Sequence, residues 1–190
     1  MNTEPDNRTN PPLLHALNPS AYAHTAREFL QHFNIISTGK PNMAELVAVL
    51  QAFVHIPYEN LSKIIKHSQS HQDSQSVRLP DEVWQDFRRY RLGGTCFSLT
   101  FFLQTIVAAL GFASYPVMAH MKAGKNHHCA LVVLHDDAHY LLDPGYVLDT
   151  PMRLDNQQRR IYRSAHTGVE LLPAEQPLQY HLRTFTRQQA

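Results

Sequence analysis

The chain has 190 residues, of which 43% are hydrophobic and 17% are charged, and its formal net charge is +1. A chain of this length buries enough apolar surface for one domain or two small subdomains. The near-neutral charge gives no indication of a nucleic-acid or anionic membrane partner. Two cysteines, Cys96 and Cys129, are too few for a disulfide framework, so we expect a reducing, cytoplasmic location.

The first half of the chain has helical hydrophobic spacing. Residues 1–17 are polar and proline-containing, which predicts a disordered arm and no signal peptide, and no apolar stretch reaches the roughly 20 residues of a spanning helix. We predict a loop and short turn at 55–61 and an exposed loop at 66–76, which has no apolar side chain. The spacing predicts four helices, the first from residue 18 and the others at 42–54, 79–90 and 96–110.

The second half changes to a period of two, which indicates strands. We predict a turn at 123–126, a tight turn at Asp136-Asp137, and weaker strand-like patches at 160–163, 169–172 and 178–185. The main strands are predicted at 115–121, 127–134 and 140–143. Helices followed by an antiparallel meander predict an α+β fold, with a helical subdomain at 18–111 and a β subdomain at 112–190.

Cys96 is the candidate nucleophile. It follows Gly93-Gly94 and begins a predicted helix, and a helix N-terminus stabilises a thiolate and offers free N–H groups. Glycines allow a sharp turn or a close approach by substrate. A buried structural cysteine is the alternative interpretation, because free cysteines are commonly buried.

A thiolate nucleophile needs a base and a group that orients the base. If the turn at Asp136-Asp137 has two or four residues, Ala130 lies opposite Asp143, and His128 shares that face of the strand. A three-residue turn would place His127 there instead. Asp143 also begins an Asp-Pro-Gly sequence, which by itself indicates an ordinary turn.

Other histidine pairs are weaker candidates. His67 and His71 have the i, i+4 spacing of a zinc pair, but their segment has no apolar face to form a helix. His135 and His139 straddle a turn. Because neither pair has a third ligand nearby, we predict no metal site.

Four segments, in order, resemble the arylamine N-acetyltransferases. Residues 91–100 (RLGGTCFSLT) resemble the active-site signature of that family, and 56–61 (IPYENL) resemble its Val-Pro-Phe-Glu-Asn-Leu. Residues 128–133 (HCALVV) fit its histidine and apolar strand, and 140–146 (YLLDPGY) resemble its strand ending Asp-Val-Gly-Phe. The resemblance covers roughly residues 20–186 and selects His128 over His127.

This resemblance implies a mechanism and a fold. Cys96 would accept an acyl group from acetyl-CoA or another acyl-CoA, with His128 as base and Asp143 as orienter, and pass it to an arylamine-like acceptor by a ping-pong route. The implied fold is a papain-like cysteine-enzyme core with the cysteine at a helix N-terminus and a β-barrel-like second subdomain. No tightly bound cofactor is implied.

The resemblance also implies supporting roles. Tyr58, Phe97 and Tyr146 would line the acceptor pocket, although ordinary core packing is an alternative for the two tyrosines. Glu59 and Arg91 would form an ion pair near the site, beside the two glycines, Gly93 and Gly94.

The sequence departs from the family pattern in several places. The departures are Leu92 for a basic residue, Thr95 for an aromatic one, Ser98 and Thr100 for Glu and Asn, Pro144 for an aliphatic residue and Val147 for glycine. Family members continue into a third domain, so the resemblance implies a short, divergent member without it. A thioesterase, an amide synthase fed by a carrier protein, and an inactive binding module therefore stay as alternatives. The acceptor amine, the acyl chain and a homo-oligomer that covers the cleft are left open.

Overall fold

The computed structural model describes residues 17–70, 76–163 and 167–186. The predicted N-terminal arm lies outside these residues except for Leu17, and so does His71 of the candidate zinc pair. A 3-10 helix at Pro19–Tyr22 precedes five α-helices. The helices are α1 Ala23–His32, α2 Met43–Phe53, α3 Leu61–Gln69, α4 Pro80–Tyr90 and α5 Cys96–Ala109.

Seven strands follow the helices and form two antiparallel sheets. The first sheet has the order β1-β2-β3-β4 and the second the order β5-β6-β7. The strands are β1 Ala113–Met121, β2 Gly124–His135, β3 Ala138–Leu142, β4 Met152–Arg153, β5 Arg160–Arg163, β6 Thr167–Pro173 and β7 Tyr180–Thr186. The chain is therefore α+β, as predicted, with helices first and sheets second.

Strand β2 lies between two hydrophobic cores. Leu131 and Val133 belong to the core built from the helices, whereas Ala130 and Val132 belong to the core of the strands. Side chains alternate along a strand, so a strand with an apolar layer on each face is buried throughout. His128, two residues before Ala130 on the same strand, is itself 7% exposed. The predicted boundary between residues 111 and 112 stays a prediction, because the helical core extends into β2.

Three expectations about local structure are wrong. Helix α3 continues to Gln69, so residues 66–69 are not a loop; Lys66 fits the helix because its ammonium group reaches Glu82 at 2.6 Å. The bounds of the turn expected at 123–126 are also wrong, since the turn is at residues 122–123 and β2 already begins at Gly124. The residues from Gly124 to Asn126 belong to the start of β2, where the pairing with β1 shifts in register and Asn126 has a φ of 58°.

The third concerns the sheets. A barrel-like β subdomain was predicted, but within the part of the chain that the structure describes the strands form two separate sheets and no closed barrel. Strand β4 has only two residues, so it gives the first sheet little edge to extend. The papain-like arrangement stays a prediction.

Candidate active site

Gly93 and Gly94 lie against the backbone of the loop at 57–59. A Cβ on Gly93 would lie 1.9 Å from the carbonyl oxygen of Pro57, and one on Gly94 would lie 2.3 Å from Oγ of Ser98. The amide of Gly94 donates to the carbonyl of Pro57 at 3.2 Å, and its carbonyl accepts from the amide of Glu59 at 3.0 Å. Glycine is therefore needed at position 93 because two stretches of backbone touch, and at position 94 because the Ser98 side chain occupies the space of a Cβ.

Cys96 begins α5 and is 4% exposed. Thr95, which precedes it, makes no side-chain cap, and the first turn of the helix has no acidic residue. The backbone amides of Phe97 and Cys129 hydrogen-bond to the Cys96 sulfur. The amide of Phe97 is free for the sulfur because the first amides of a helix have no partner within the helix, whereas the amide of Cys129 reaches it from strand β2.

The hairpin of β2 and β3 brings His128 to Asp143. The hairpin turn has two residues, Asp136 and Asp137, with φ of 47° and 56°, and His135 pairs with Ala138 beside it. The paired register ends with Leu131 opposite Leu142, so Ala130 and Asp143 are the next residues along the two segments. A two-residue turn is one of the two lengths for which the sequence predicts Ala130 opposite Asp143.

The two side chains meet in a buried position. Nε2 of His128 lies 2.8 Å from Oδ2 of Asp143, and the two residues are 7% and 1% exposed. Oδ1 of Asp143 accepts from the amides of Gly145 and Tyr146 at 3.0 and 3.1 Å. Asp143 therefore both begins the turn and holds the imidazole, so the two interpretations of this residue are compatible. His127 is exposed.

The thiol and the imidazole form a coupled pair. Burial alone would lower the pKa of His128, but its hydrogen bonds to Asp143 and Cys96 raise that pKa to about 9. Burial would raise the pKa of the Cys96 thiol, yet the hydrogen bonds from His128 and from two amides, with the charge of His128, hold it below its ordinary value. Because Nε2 is engaged by Asp143, Nδ1 is the nitrogen left for the thiol. The arrangement favours a thiolate beside an imidazolium.

Two aromatic side chains adjoin the thiol and the imidazole, and a third belongs to the residue that follows the nucleophile in sequence. The Tyr58 hydroxyl hydrogen-bonds to Cys96, and its pKa is raised by burial and then by the charge of Cys96. The ring of Tyr146 lies 5.0 Å from the ring of His128. Tyr58 is 51% exposed and Phe97, next to the nucleophile, is 46% exposed, so these rings are open to solvent rather than packed in the core.

The ion pair expected between Glu59 and Arg91 is wrong in its cation. Nη1 of Arg78 lies 3.8 Å from Oε1 of Glu59. Arg91 ends α4 with a φ of 58°, and its guanidinium lies 5.1 Å from the centre of the Phe87 ring. The left-handed backbone of Arg91 accompanies the placement of its guanidinium against Phe87 instead of Glu59. The supporting cation is Arg78, which sequence reasoning missed because a single arginine after a polar run gives no signal.

Gly145 was also missed, although Asp-Pro-Gly had been noticed as turn chemistry. A Cβ at this position would lie 2.6 Å from Cε1 of His128, 3.3 Å from Oδ1 of Asp143 and 3.3 Å from Cβ of Cys96. Gly145 is therefore the point at which all three side chains converge. Glycine is required here because a Cβ has no room, and not because of the backbone conformation, since the φ of Gly145 is not in the left-handed region.

We predict that Gly145→Ala keeps the fold and slows acylation of Cys96 by about 100-fold, because the new methyl group must push the imidazole out of line. The check is the rate at which an acetyl adduct forms on Cys96, with the melting temperature measured in parallel. A variant that melts normally and acylates at the wild-type rate would contradict the tight convergence described above.

Among the residues that the structure describes, no group of three His, Cys, Asp or Glu side chains could hold a metal ion. Over the same ranges no helix combines the length and hydropathy needed to cross a bilayer.

Cysteine, histidine and aspartate thus meet in one site on an α+β fold, which is the arrangement of a thiol-dependent enzyme. The sequence model of the N-acetyltransferase family matches residues 42–189, and the chain belongs to this family. The family resemblance seen in the sequence is therefore confirmed. No curated protein matches the sequence significantly.

Solved structures of arylamine N-acetyltransferases share the fold. The enzyme of Mycobacterium abscessus superposes with a TM-score of 0.64 and 20% identity, over 85% of this chain and 57% of its own. The Salmonella typhimurium enzyme gives 0.58 and 18%, over 87% and 63%. The Bacillus cereus enzyme, described as having a Cys-His-Glu catalytic triad, gives 0.59 and 16%, over 85% and 68%. The chain thus spans roughly three fifths of the length of these proteins.

Proposed function

We propose that this protein is an arylamine N-acetyltransferase-like acyltransferase that moves an acyl group from a CoA thioester to an arylamine-like amine through a thioester on Cys96. Family membership supports the reaction class. The single observation that carries the proposal is the contact of Cys96, His128 and Asp143, with the pKa of His128 raised to about 9.

In the first half-reaction the Cys96 sulfur attacks the thioester carbonyl of the acyl-CoA. The carbon–sulfur bond to Cys96 forms, the bond to the CoA sulfur breaks, and the imidazolium of His128 gives its proton to the departing thiolate. Backbone amides at the start of α5 are the candidate donors to the oxyanion. Asp143 keeps the imidazole in one orientation and supports its positive charge.

In the second half-reaction the amine nitrogen attacks the Cys96 thioester, and neutral His128 takes the amine proton as the new bond forms. The amide bond is completed as the Cys96 thiolate leaves, which restores the thiolate and the imidazolium. Tyr58, Phe97 and Tyr146 are the proposed contacts for the aromatic acceptor. Tyr58 and Tyr146 adjoin the thiol and the imidazole, and Phe97 follows the nucleophile in sequence and is exposed, as is Tyr58. Exposed rings offer apolar and stacking contacts that an arylamine matches.

Hydrolysis by the same three residues is the second candidate. The exposure of Tyr58 and Phe97 favours it, since water that reaches a thioester on Cys96 competes with the amine. A carrier-protein donor would use the same open side of the site. Hydrolysis differs from transfer in its product, a free acid instead of an amide. The carrier-protein candidate differs in the donor that brings the acyl group to Cys96.

Incubation with acetyl-CoA, with and without an arylamine, separates transfer from hydrolysis. We expect an N-acetylated amine to form in the presence of the arylamine and little acetate in its absence. Acetate released at the same rate in both reactions, with no amide product, would instead assign a thioesterase. The check is chromatography of both products against the amount of CoA thiol released.

The pH dependence of Cys96 alkylation follows from the two pKa shifts. The pKa of the thiol lies below its ordinary value of 9.0, and His128 keeps its proton up to about pH 9. We therefore expect alkylation by iodoacetamide to have its midpoint below pH 9, the ordinary midpoint of a cysteine thiol. Replacement of His128 by alanine moves the midpoint upward. A midpoint near pH 9 in the wild type would contradict the ion pair.

A further inference from the structure

Arg78 is the buried cation that the proposed mechanism does not use. It lies two residues before α4 and is 5% exposed, and a buried charge is tolerated only where its hydrogen bonds are satisfied. Its partners therefore indicate what the guanidinium holds in place.

The guanidinium contacts several elements at once. Nη1 donates to the carbonyl oxygen of Gly93 and to Oγ of Ser62, which is on α3. Nη2 donates to Oδ2 of Asp86, on α4, at 2.5 Å. Oε1 of Glu59 lies 3.8 Å from Nη1 and accepts the hydroxyl of Ser62. One side chain thus joins α3, α4, the loop at 57–59 and the glycine pair.

Two of these contacts lead to the nucleophile. Gly93 and Gly94 precede Cys96 by only two to three residues, and Gly94 is joined by two backbone hydrogen bonds to the loop that carries Tyr58. The Tyr58 hydroxyl in turn hydrogen-bonds to the Cys96 thiol. The guanidinium therefore fixes both segments that flank the sulfur, one through a carbonyl and the other through the carboxylate of Glu59.

We propose that Arg78 is a positioning residue that sets the orientation of the Cys96 thiol through Gly93 and Glu59. This proposal rests on the proposed function for the expected effect of Arg78 on acyl transfer. The placement of the thiol does not depend on which acyl group is moved. Arginine suits this position because its planar fork donates in several fixed directions, whereas a lysine ammonium is a single point charge.

The test compares Arg78→Met and Arg78→Lys with the wild type, and uses Arg160→Met as the matched control. Arg160 also pairs with a carboxylate, that of Asp155 at 3.1 Å, but lies in the second sheet. Two rates are measured well below the melting temperature of each variant. These are the alkylation of Cys96 by iodoacetamide at neutral pH, read by peptide mass spectrometry, and the acetylation of Cys96 by acetyl-CoA, with its KM.

We expect Arg78→Met to slow both rates by about 100-fold with little change in KM, because a displacement of about 1 Å at a nucleophile has an effect of this size. Both rates of Arg78→Lys should lie between those of the wild type and of Arg78→Met. The lysine variant should also raise the pH midpoint of alkylation less than Arg78→Met does. Arg160→Met should keep the wild-type rates. If Arg78→Met does not fold, the lysine variant alone decides, since it keeps the buried charge.

The proposal is overturned if the folded Arg78 variants melt at a lower temperature but alkylate Cys96 at the wild-type rate and pH midpoint. That outcome would leave Arg78 with a purely structural role. Failure of the proposed function has a different signature, since wild-type Cys96 would then alkylate rapidly but acquire no acetyl group. The alkylation rates of the variants test Arg78 in either case.

Discussion

Replacement of Cys96 by alanine should reduce the release of thiol from acetyl-CoA by about 10⁴-fold or more, because no other described group can take the nucleophile's place. Cys129 is buried, and burial raises the pKa of its thiol. A protonated buried thiol is a poor nucleophile. The measurement is the rate of CoA thiol release at saturating acetyl-CoA.

Cys129→Ala is the control for this experiment. The residue contributes a backbone amide to the Cys96 sulfur, and alanine keeps that amide. We expect most of the thiol release to remain. The opposite pattern, in which Cys96→Ala retains activity and Cys129→Ala loses it, would identify Cys129 as the nucleophile and would refute the mechanism.

Replacement of His128 by alanine should lower the rate of Cys96 acylation by roughly 10³-fold, because it removes both the proton carrier and the positive charge that stabilises the thiolate. It also leaves the buried carboxylate of Asp143 without its main partner, so stability is expected to fall. His128→Asn keeps an amide group that can donate to Asp143. This second variant separates lost chemistry from lost folding.

His127→Ala is the matched control, since it removes a neighbouring imidazole from the exposed face of the same strand. Acylation should be nearly unchanged. Loss of acylation in His127→Ala together with its retention in His128→Ala would reverse the assignment of the base. The readout is the rate of adduct formation on Cys96, measured at several pH values.

The sequence predicted the hairpin that builds the site but left open whether its turn has two, three or four residues. The turn at Asp136-Asp137 has two residues, and alternation along β2 then places His128 on the face of Asp143. These are local rules, and they hold because both strands are tightly paired. Residues 66–69 were assigned to a loop rather than to helix α3 because they are polar. One of them, Lys66, contacts Glu82 of a distant helix, which local spacing does not reveal.

The contacts that sequence could not reveal are those between distant segments. Nothing in a glycine pair shows that the carbonyl of Pro57 will lie where a Cβ would stand. Likewise, the choice of Arg78 rather than Arg91 as partner of Glu59 depends on how α3 and α4 pack, which local spacing does not encode. The sequence thus indicated the residues that meet in the candidate site, but not the contacts between distant segments that hold them in place.

The central claim is that Cys96 accepts an acyl group, and intact-mass measurement after mixing the protein with acetyl-CoA tests it most directly. We expect a mass increase of one acetyl group, about 42 Da, located on the Cys96 peptide and lost on addition of an arylamine. A small panel of longer acyl-CoAs then defines the chain length. A protein whose Cys96 alkylates readily but acquires no acyl group from any of these thioesters would contradict the account.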